Sequence, residues 1–145
     1  LGARDILRIE MGYSLYGHEL GEDISPLESG LNRFISFEKD FIGKSALLKQ
    51  KEKGVKEKII GVISENRRAP RCDQKIYSGS GEEIGVITSG TFSPSMNKGI
   101  GFGFVKTRYA VLGSPVVFGD DKSESAGVIS SRVFYKDGSL RNKII

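Results

Sequence analysis

From residue 59 onward the sequence is divided into short runs that suit β-strands, and this pattern constrains the fold more than any other feature. Apolar or β-branched runs of four to eight residues alternate with clusters of glycine, serine and aspartate. We predict six strands, near residues 59–64, 75–78, 83–91, 99–105, 114–118 and 126–134. No connection between them suits the crossover helix that parallel neighbours need. The pattern therefore favours an antiparallel barrel or sandwich.

The first part of the sequence carries helical spacing instead. The apolar residues between positions 6 and 9 share one helical face, and this helix should end near Gly12, because glycine permits the left-handed backbone of a helix C-terminus. A second helix is predicted over residues 41–53 and is closed by Gly54. Both helices precede the β-rich part.

Two shorter elements are predicted between these helices. Ser25 and Glu28 form a capping box, so a short helix should begin there. The apolar and aromatic residues 34–37 suit a short strand. We therefore predict an α+β chain, with a mixed N-terminal segment at residues 1–55 and a β-domain at residues 56–145.

The composition excludes several kinds of site. One cysteine, Cys72, cannot form an internal disulfide framework, and one cysteine with one histidine, His18, cannot supply a conventional zinc site. We therefore expect a reducing compartment and no metal. No apolar stretch approaches the roughly 18 residues needed to span a bilayer, so a soluble protein is expected. The net charge of +4 favours anionic partners, and the mixed-charge run at residues 44–58 suits a solvated helix face.

The run at residues 99–104, GIGFGF, alternates glycine with apolar residues. It lacks the spacing of a dinucleotide-binding loop, and no helix follows it. Glycines in a strand instead mark a face that neighbouring backbone approaches closely. Phe102 and Phe104 share the other face of this strand, which favours a core over a nucleic-acid platform.

Three serines, Ser89, Ser93 and Ser95, are weighed as nucleophiles. No nucleophile elbow surrounds them, and His18 is the only histidine in the sequence. Serine hydrolase chemistry is therefore not expected.

Glu10 stands at the end of the first predicted helix, between the apolar residues Ile9 and Met11. Taken locally, it is an exposed carboxylate in the last turn of a helix, where it slightly opposes the helix dipole. A carboxylate at such an unfavourable position is also expected where it serves a partner. The local sequence leaves both interpretations open.

Six segments together resemble the T-protein aminomethyltransferase family of the glycine cleavage system, in nearly its usual spacing. They are LGARDILRIE (1–10), LYGHEL (15–20), SPLESGL (25–31), KDFIGK (39–44), APR (69–71) and GVITSGTFSP (85–94). The resemblance covers essentially the whole chain. It implies the C-terminal portion of a three-domain enzyme: a remnant of the folate-binding domain, followed by a six-stranded antiparallel β-barrel.

The resemblance also implies a reaction. In this family an aminomethyl group on the lipoyl arm of H-protein passes to tetrahydrofolate, and ammonia is released. The expected partners are lipoylated H-protein and tetrahydrofolate as a substrate, with no metal, nucleic acid or membrane. The family's catalytic aspartate lies upstream of this segment, so we assign no catalytic residue and expect the 145 residues alone to be inactive. A family member is cytoplasmic in a bacterium and in the mitochondrial matrix in a eukaryote.

Four residues match family positions at the folate site. Glu10 matches the glutamate that holds the pterin ring, where a carboxylate can accept paired hydrogen bonds from adjacent N–H groups. Tyr16 matches a tyrosine near the folate tail, and Tyr135 matches a C-terminal tyrosine that lines the same site. Lys39 stands where many members have an arginine near the folate glutamate, and lysine offers a point charge instead of a planar fork.

Two relatives of this family are alternatives. Folate-dependent demethylases share the module and differ in their donors. A non-enzymatic folate-binding relative assists iron–sulfur protein maturation, but it carries a cysteine-containing KGCYxGQ-type stretch where this chain has KDFIGK. That difference argues against the second relative.

Overall fold

The computed structural model describes residues 2–120 and 123–137, which form two helices followed by a closed β-barrel. Helix α1 spans Gly2–Glu10 and helix α2 spans Lys44–Lys53. The strands are β1 (Glu57–Ser64), β2 (Lys75–Ser78), β3 (Glu83–Ser93), β4 (Lys98–Lys106), β5 (Pro115–Asp120) and β6 (Ser123–Ser130). The predicted fold class, a helical or mixed segment before a six-stranded antiparallel barrel, is confirmed. Within the described ranges, no helix is long and apolar enough to cross a membrane.

All neighbouring strands of the barrel are antiparallel. Their order around the barrel is β1-β4-β3-β2-β5-β6, and β6 pairs with β1 to close it. Closure leaves no sheet edge open for pairing with another chain. The barrel therefore offers partners its faces, ends and loops.

Two apolar clusters hold the chain together. Nine buried residues fill one of them: Ile60, Val62, Ile76, Ile84, Ile87, Val105, Val116, Phe118 and Ile129. The other joins α1 to the strands through Ile9, Ile59, Ile100, Phe102, Phe104 and Phe134. In the second cluster the rings of Phe102 and Phe134 stack with their centroids 5.8 Å apart. Helix α1 is therefore packed on the barrel.

Strand β4 confirms the interpretation of its alternating glycines. A Cβ atom at Gly103 would lie 2.6 Å from the carbonyl oxygen of Val86 and 2.7 Å from Cδ1 of Ile76, so only glycine fits there without a shift. Phe102 is fully buried on the other face of the strand. The phenylalanines thus form a core, as predicted, and this core lies between the strand and α1.

Helix α1 ends at Glu10, near Gly12 as predicted, and Gly12 has a positive φ of 82°. The amide of Gly12 donates to the carbonyl of Ile9, and the amide of Tyr13 donates to that of Arg8. These two bonds form a Schellman motif, which satisfies carbonyls that the helix leaves unpaired. The chain turns sharply there and enters the loop that carries Glu19.

Two predictions between the helices are wrong. Residues 34–37 form no strand: a 3-10 helix spans Asn32–Phe34, and the Phe34 side chain is 70% exposed beneath the guanidinium of Arg33. The capping box at Ser25 and Glu28 does form, with both reciprocal hydrogen bonds, but only a helical turn follows it. In both places the local pattern does not decide the structure, because no strand of the described ranges pairs with these residues.

The last strand differs from the prediction. Strand β6 covers Ser123–Ser130, whereas the sequence pattern predicts residues 126–134. After Ser130 the chain leaves the barrel, and Phe134 packs against Phe102 in the cluster beneath α1. An apolar residue there suits a core as well as a strand, so the pattern alone does not separate the two.

Candidate functional site

The carboxylate of Glu10 is buried between α1 and strand β3. Glu10 is the last residue of α1 and is only 4% exposed. The hydroxyl of Ser93 donates to its Oε1 over 2.5 Å, and the hydroxyl of Ser95 lies 3.5 Å from its Oε2. Glu10 is therefore not the exposed carboxylate that the local sequence allows. Hydroxyl donors offset its unfavourable position at the end of the helix.

The backbone of Glu10 is held as well. Its carbonyl oxygen accepts hydrogen bonds from the amides of Phe134 and Tyr135, over 3.0 and 3.1 Å. The segment that leaves β6 therefore crosses the end of α1. This crossing brings Tyr135, one of the four predicted folate residues, next to Glu10.

The other two predicted residues lie on the surface. Tyr16 is 69% exposed in the loop after α1, and Lys39 is exposed before α2. Neither side chain forms a hydrogen bond or an ion pair with another residue of the described ranges. The structure thus joins Glu10 to Tyr135 and leaves Tyr16 and Lys39 facing solvent.

Sequence reasoning missed a second buried carboxylate, Glu19. This residue is fully buried, and its Oε1 accepts from the hydroxyls of Thr88 and Ser89, each over 2.6 Å. Its Oε2 accepts from the amide of Leu15 over 3.0 Å and from Nη1 of Arg8 over 3.3 Å. Four donors around one carboxylate satisfy a charge that would otherwise be costly to bury.

A β-bulge in strand β3 places two of these donors. Ile87 pairs with Gly103 and Ser89 pairs with Phe102, so Thr88 is an extra residue in the ladder. A bulge of this kind redirects side chains that would otherwise alternate between the two faces of a strand. Thr88 and Ser89 therefore both reach Oε1 of Glu19.

Arg8 connects this carboxylate to helix α1. Its Nη2 donates to the hydroxyl of Ser89 over 3.0 Å, and its Nε donates to Oδ1 of Asp5 over 2.7 Å. The side chain of Arg8 is 13% exposed and Ser89 is buried, so their contact is shielded from water, whereas Asp5 is 45% exposed. Two buried carboxylates of the N-terminal segment, Glu10 and Glu19, are thus held by hydroxyls of one strand.

No local signal marked Glu19 for this role. It lies in a turn-rich stretch, where a carboxylate is ordinarily exposed. Thr88 and Ser89 lie 69 and 70 residues further along the chain. Both segments belong to the family resemblance, and that shared membership was the only hint in the sequence.

Two family models match the chain. The model described as "Glycine cleavage T-protein C-terminal barrel domain" matches residues 57–136, and the "GCVT N-terminal domain" matches residues 1–39. Among curated proteins, the aminomethyltransferase of Flavobacterium psychrophilum is 43% identical over 136 residues, which is 94% of this chain and 38% of that protein. The aminomethyltransferase of Desulfitobacterium hafniense is 49% identical over 138 residues, 94% of this chain and 37% of that protein.

A solved structure shares the fold. The crystal structure of glycine cleavage system aminomethyltransferase T from Bartonella henselae superposes with a TM-score of 0.85 at 30% sequence identity. The match covers 92% of this chain and 38% of that one. The chain therefore spans a little over a third of the length of the proteins that it resembles.

Proposed function

The chain belongs to the glycine cleavage T-protein family, and from this membership we propose that it forms part of a tetrahydrofolate-dependent aminomethyltransferase. In the proposed reaction, the aminomethyl group on the lipoyl arm of H-protein passes to tetrahydrofolate. The products are methylenetetrahydrofolate, ammonia and the reduced lipoyl arm. The curated relatives from Flavobacterium psychrophilum and Desulfitobacterium hafniense both carry the name aminomethyltransferase, which supports the reaction class.

The fixed carboxylate of Glu10 is the observation that carries the proposed folate role. Ser93 holds Oε1, and two backbone amides hold the carbonyl of the same residue. A group that is already ordered loses little entropy when it binds a ligand. Glu10 is therefore suited to fixing the orientation of a ring that presents two adjacent N–H groups.

The acceptor capacity of Glu10 fits such a ring. A carboxylate has about four lone-pair sites, and Ser93 takes one of them over a short distance. Among the residues that the structure describes, Oε2 has a single contact, at 3.5 Å with Ser95, which is exposed in the turn at residues 94–97. Because Glu10 is 4% exposed, we expect the pterin to reach it only after Ser95 or another neighbour shifts.

The remaining three residues have different parts in the proposal. Tyr135 lies beside Glu10 through their shared backbone hydrogen bond, so it can line the same site. Tyr16 and Lys39 have exposed side chains that can meet the far end of a ligand. Lys39 supplies one positive charge for a carboxylate there, without the planar geometry of an arginine.

Calorimetry on the complete polypeptide that carries these residues tests the role of Glu10. Glu10→Gln keeps an acceptor for Ser93 and removes the negative charge. We expect tetrahydrofolate to bind at least about tenfold more weakly, because a hydrogen bond to a charged group contributes about 1.5–3 kcal/mol. Glu52→Gln changes an exposed carboxylate of α2 and should leave affinity unchanged. Equal tetrahydrofolate affinities in the two variants, with unchanged melting temperatures, would show that Glu10 does not contribute to folate binding.

The donor is tested separately on the same polypeptide. Aminomethylated H-protein should support formation of methylenetetrahydrofolate, whereas dimethylated small molecules should not. A preference for the small molecules would assign the protein to the folate-dependent demethylases instead. This assay separates the two enzymes even if both bind folate through Glu10.

A further inference from the structure

A cavity of about 530 Å³ lies beside the end of α1 and has two arginines in its wall. It is bordered by the turn after α1, by the segment around Gly30 and by residues 131–133 after β6. None of the four residues proposed for folate binding lines it. A ligand held in the cavity need not contact any of those four residues, so this inference does not rest on the proposed function.

The charged side chains that line this cavity are both positive. Arg33 and Arg132 are the charged side chains among its described lining residues, and no aspartate or glutamate is among them. Burial lowers the pKa of Arg132, and the positive charge of Arg33 lowers it further. The negative charge of Glu19 acts in the opposite direction and has a smaller effect. Two cations thus share a space in which an anion would stabilise both.

The guanidinium of Arg132 also has N–H groups that are available to bind a ligand. It is partly buried, and its side chain donates over 3.3 Å to the hydroxyl of Ser14 and over 3.2 Å to the carbonyl of Gly30. Both acceptors are neutral and both bonds are long. A guanidinium carries five N–H donors, so three have no acceptor within the described part of the chain. A planar fork of this kind matches a carboxylate.

The rest of the wall is largely apolar. Met11, Leu20, Leu31, Phe34 and Val133 line it, and the guanidinium of Arg33 lies 4.6 Å from the centroid of the Phe34 ring. The volume falls in the range of about 300–1,000 Å³ that is typical of small-molecule sites. An apolar wall with two convergent cations suits a molecule with an apolar body and one anionic end.

We propose that this cavity binds a small organic acid, with its carboxylate between Arg132 and Arg33 and its apolar body against Phe34 and Leu31. The probe is benzoate, and its neutral analogue benzamide tests the need for charge. Binding to the full chain is followed by NMR titration. Benzoate should shift the resonances of residues that line the cavity. Benzamide should bind at least about tenfold more weakly, because its neutral amide cannot accept charge-assisted hydrogen bonds from both nitrogens of a guanidinium fork.

A matched pair of variants locates the site. Arg33→Gln should weaken benzoate binding about tenfold, as expected for the loss of one charged donor. Arg67→Gln should have no effect, although Arg67 likewise stacks on an aromatic ring, 4.9 Å from the centroid of Phe92. Both arginines are exposed, so neither substitution should impair folding. Glu10→Gln should leave benzoate binding unchanged, which separates this site from the proposed folate site.

Three results would overturn the proposal. The first is an equal benzoate affinity in the unmodified chain, Arg33→Gln and Arg132→Lys. The second is tighter binding of inorganic phosphate than of benzoate, because that would mean an oxyanion site without an apolar part. The third is the absence of any shift at the cavity residues with either probe.

Discussion

The hydroxyl of Ser93 lies 2.5 Å from Oε1 of Glu10, although 83 residues separate the two in the sequence. The same hydroxyl accepts a hydrogen bond from the amide of Met96 over 3.1 Å. Ser93 is fully buried, so water cannot replace it as a donor. This serine therefore connects the end of α1 to the turn between β3 and β4.

Ser93→Ala should lower the free energy of unfolding by about 1–3 kcal/mol, because it leaves a buried acceptor without its partner. Ser95→Ala is the matched control. Ser95 is exposed and lies 3.5 Å from the same carboxylate, so its loss should change stability by less than about 0.5 kcal/mol. Urea denaturation monitored by circular dichroism measures both. Equal losses would mean that Ser93 is not the main donor to Glu10.

Glu19→Ala should lower the free energy of unfolding more than Ser93→Ala does. It removes the acceptor of four donors and takes from Arg8 its buried partner, leaving it the half-exposed carboxylate of Asp5, at a cost of about 3–5 kcal/mol. Glu83→Ala is the control, because Glu83 is about half exposed and pairs with Lys75 on the surface. That loss should lie within about 1 kcal/mol. If thermal unfolding shows a larger loss of stability for Glu83→Ala than for Glu19→Ala, the role of the buried carboxylate is contradicted.

The barrel could be predicted because its pattern is local. In strand β4 glycines alternate with Phe102 and Phe104, and this alternation alone predicts one face for close backbone approach and one for a core. Clusters of turn residues then separate the strands. The sequence did not indicate that Phe102 faces helix α1, because that depends on where the helix docks.

The contacts of the site could not be predicted, because they join distant segments. Glu19 meets Thr88 and Ser89 only after the barrel closes and a bulge redirects β3. Phe34 is a different case: the apolar and aromatic residues around it predict a strand, but it is exposed and pairs with no strand in the described part of the chain. Local propensity predicts neither the long-range contacts of Glu19 nor the exposure of Phe34.

Gly103→Ala should lower the free energy of unfolding by about 1–3 kcal/mol, because its Cβ would crowd the carbonyl of Val86 inside a packed barrel. Gly79→Ala is the control, since a Cβ there would meet only Pro115, at an ordinary 3.7 Å. We expect a change within about 0.5 kcal/mol for that variant. Matching midpoints in urea would show that β4 can shift to accommodate a methyl group.

The 145-residue chain alone should form no methylenetetrahydrofolate from aminomethylated H-protein. It aligns with 38% of the Flavobacterium psychrophilum aminomethyltransferase, and the family resemblance assigns the catalytic aspartate to the preceding part of such proteins. That enzyme, assayed under the same conditions, is the positive control. Any turnover by the shorter chain above the uncatalysed rate would require a catalytic group among these residues.

Glu82 should titrate far below an ordinary glutamate. The hydroxyl of Tyr109 donates to Oε2 over 2.5 Å, and Lys106 and Arg108 donate to Oε1 over 3.1 and 2.9 Å. The hydrogen bond from Tyr109 contributes most, and together these donors lower the pKa of Glu82 from 4.5 to about 2. Because the pKa is lower in the folded state, the contribution of this carboxylate to stability is present above pH 4.5 and is lost as the pH falls towards 2.

Tyr109→Phe tests this cause of the shift. The substitution keeps the ring and removes the donor, so the pKa of Glu82 should rise towards 4.5 without reaching it, because Lys106 and Arg108 remain. NMR titration of the Glu82 side-chain carboxyl between pH 2 and pH 6 measures the change. Tyr13→Phe, which changes an exposed tyrosine in the loop after α1, should leave the titration unaltered. An unchanged pKa in Tyr109→Phe would mean that the two cations alone hold Glu82 ionised.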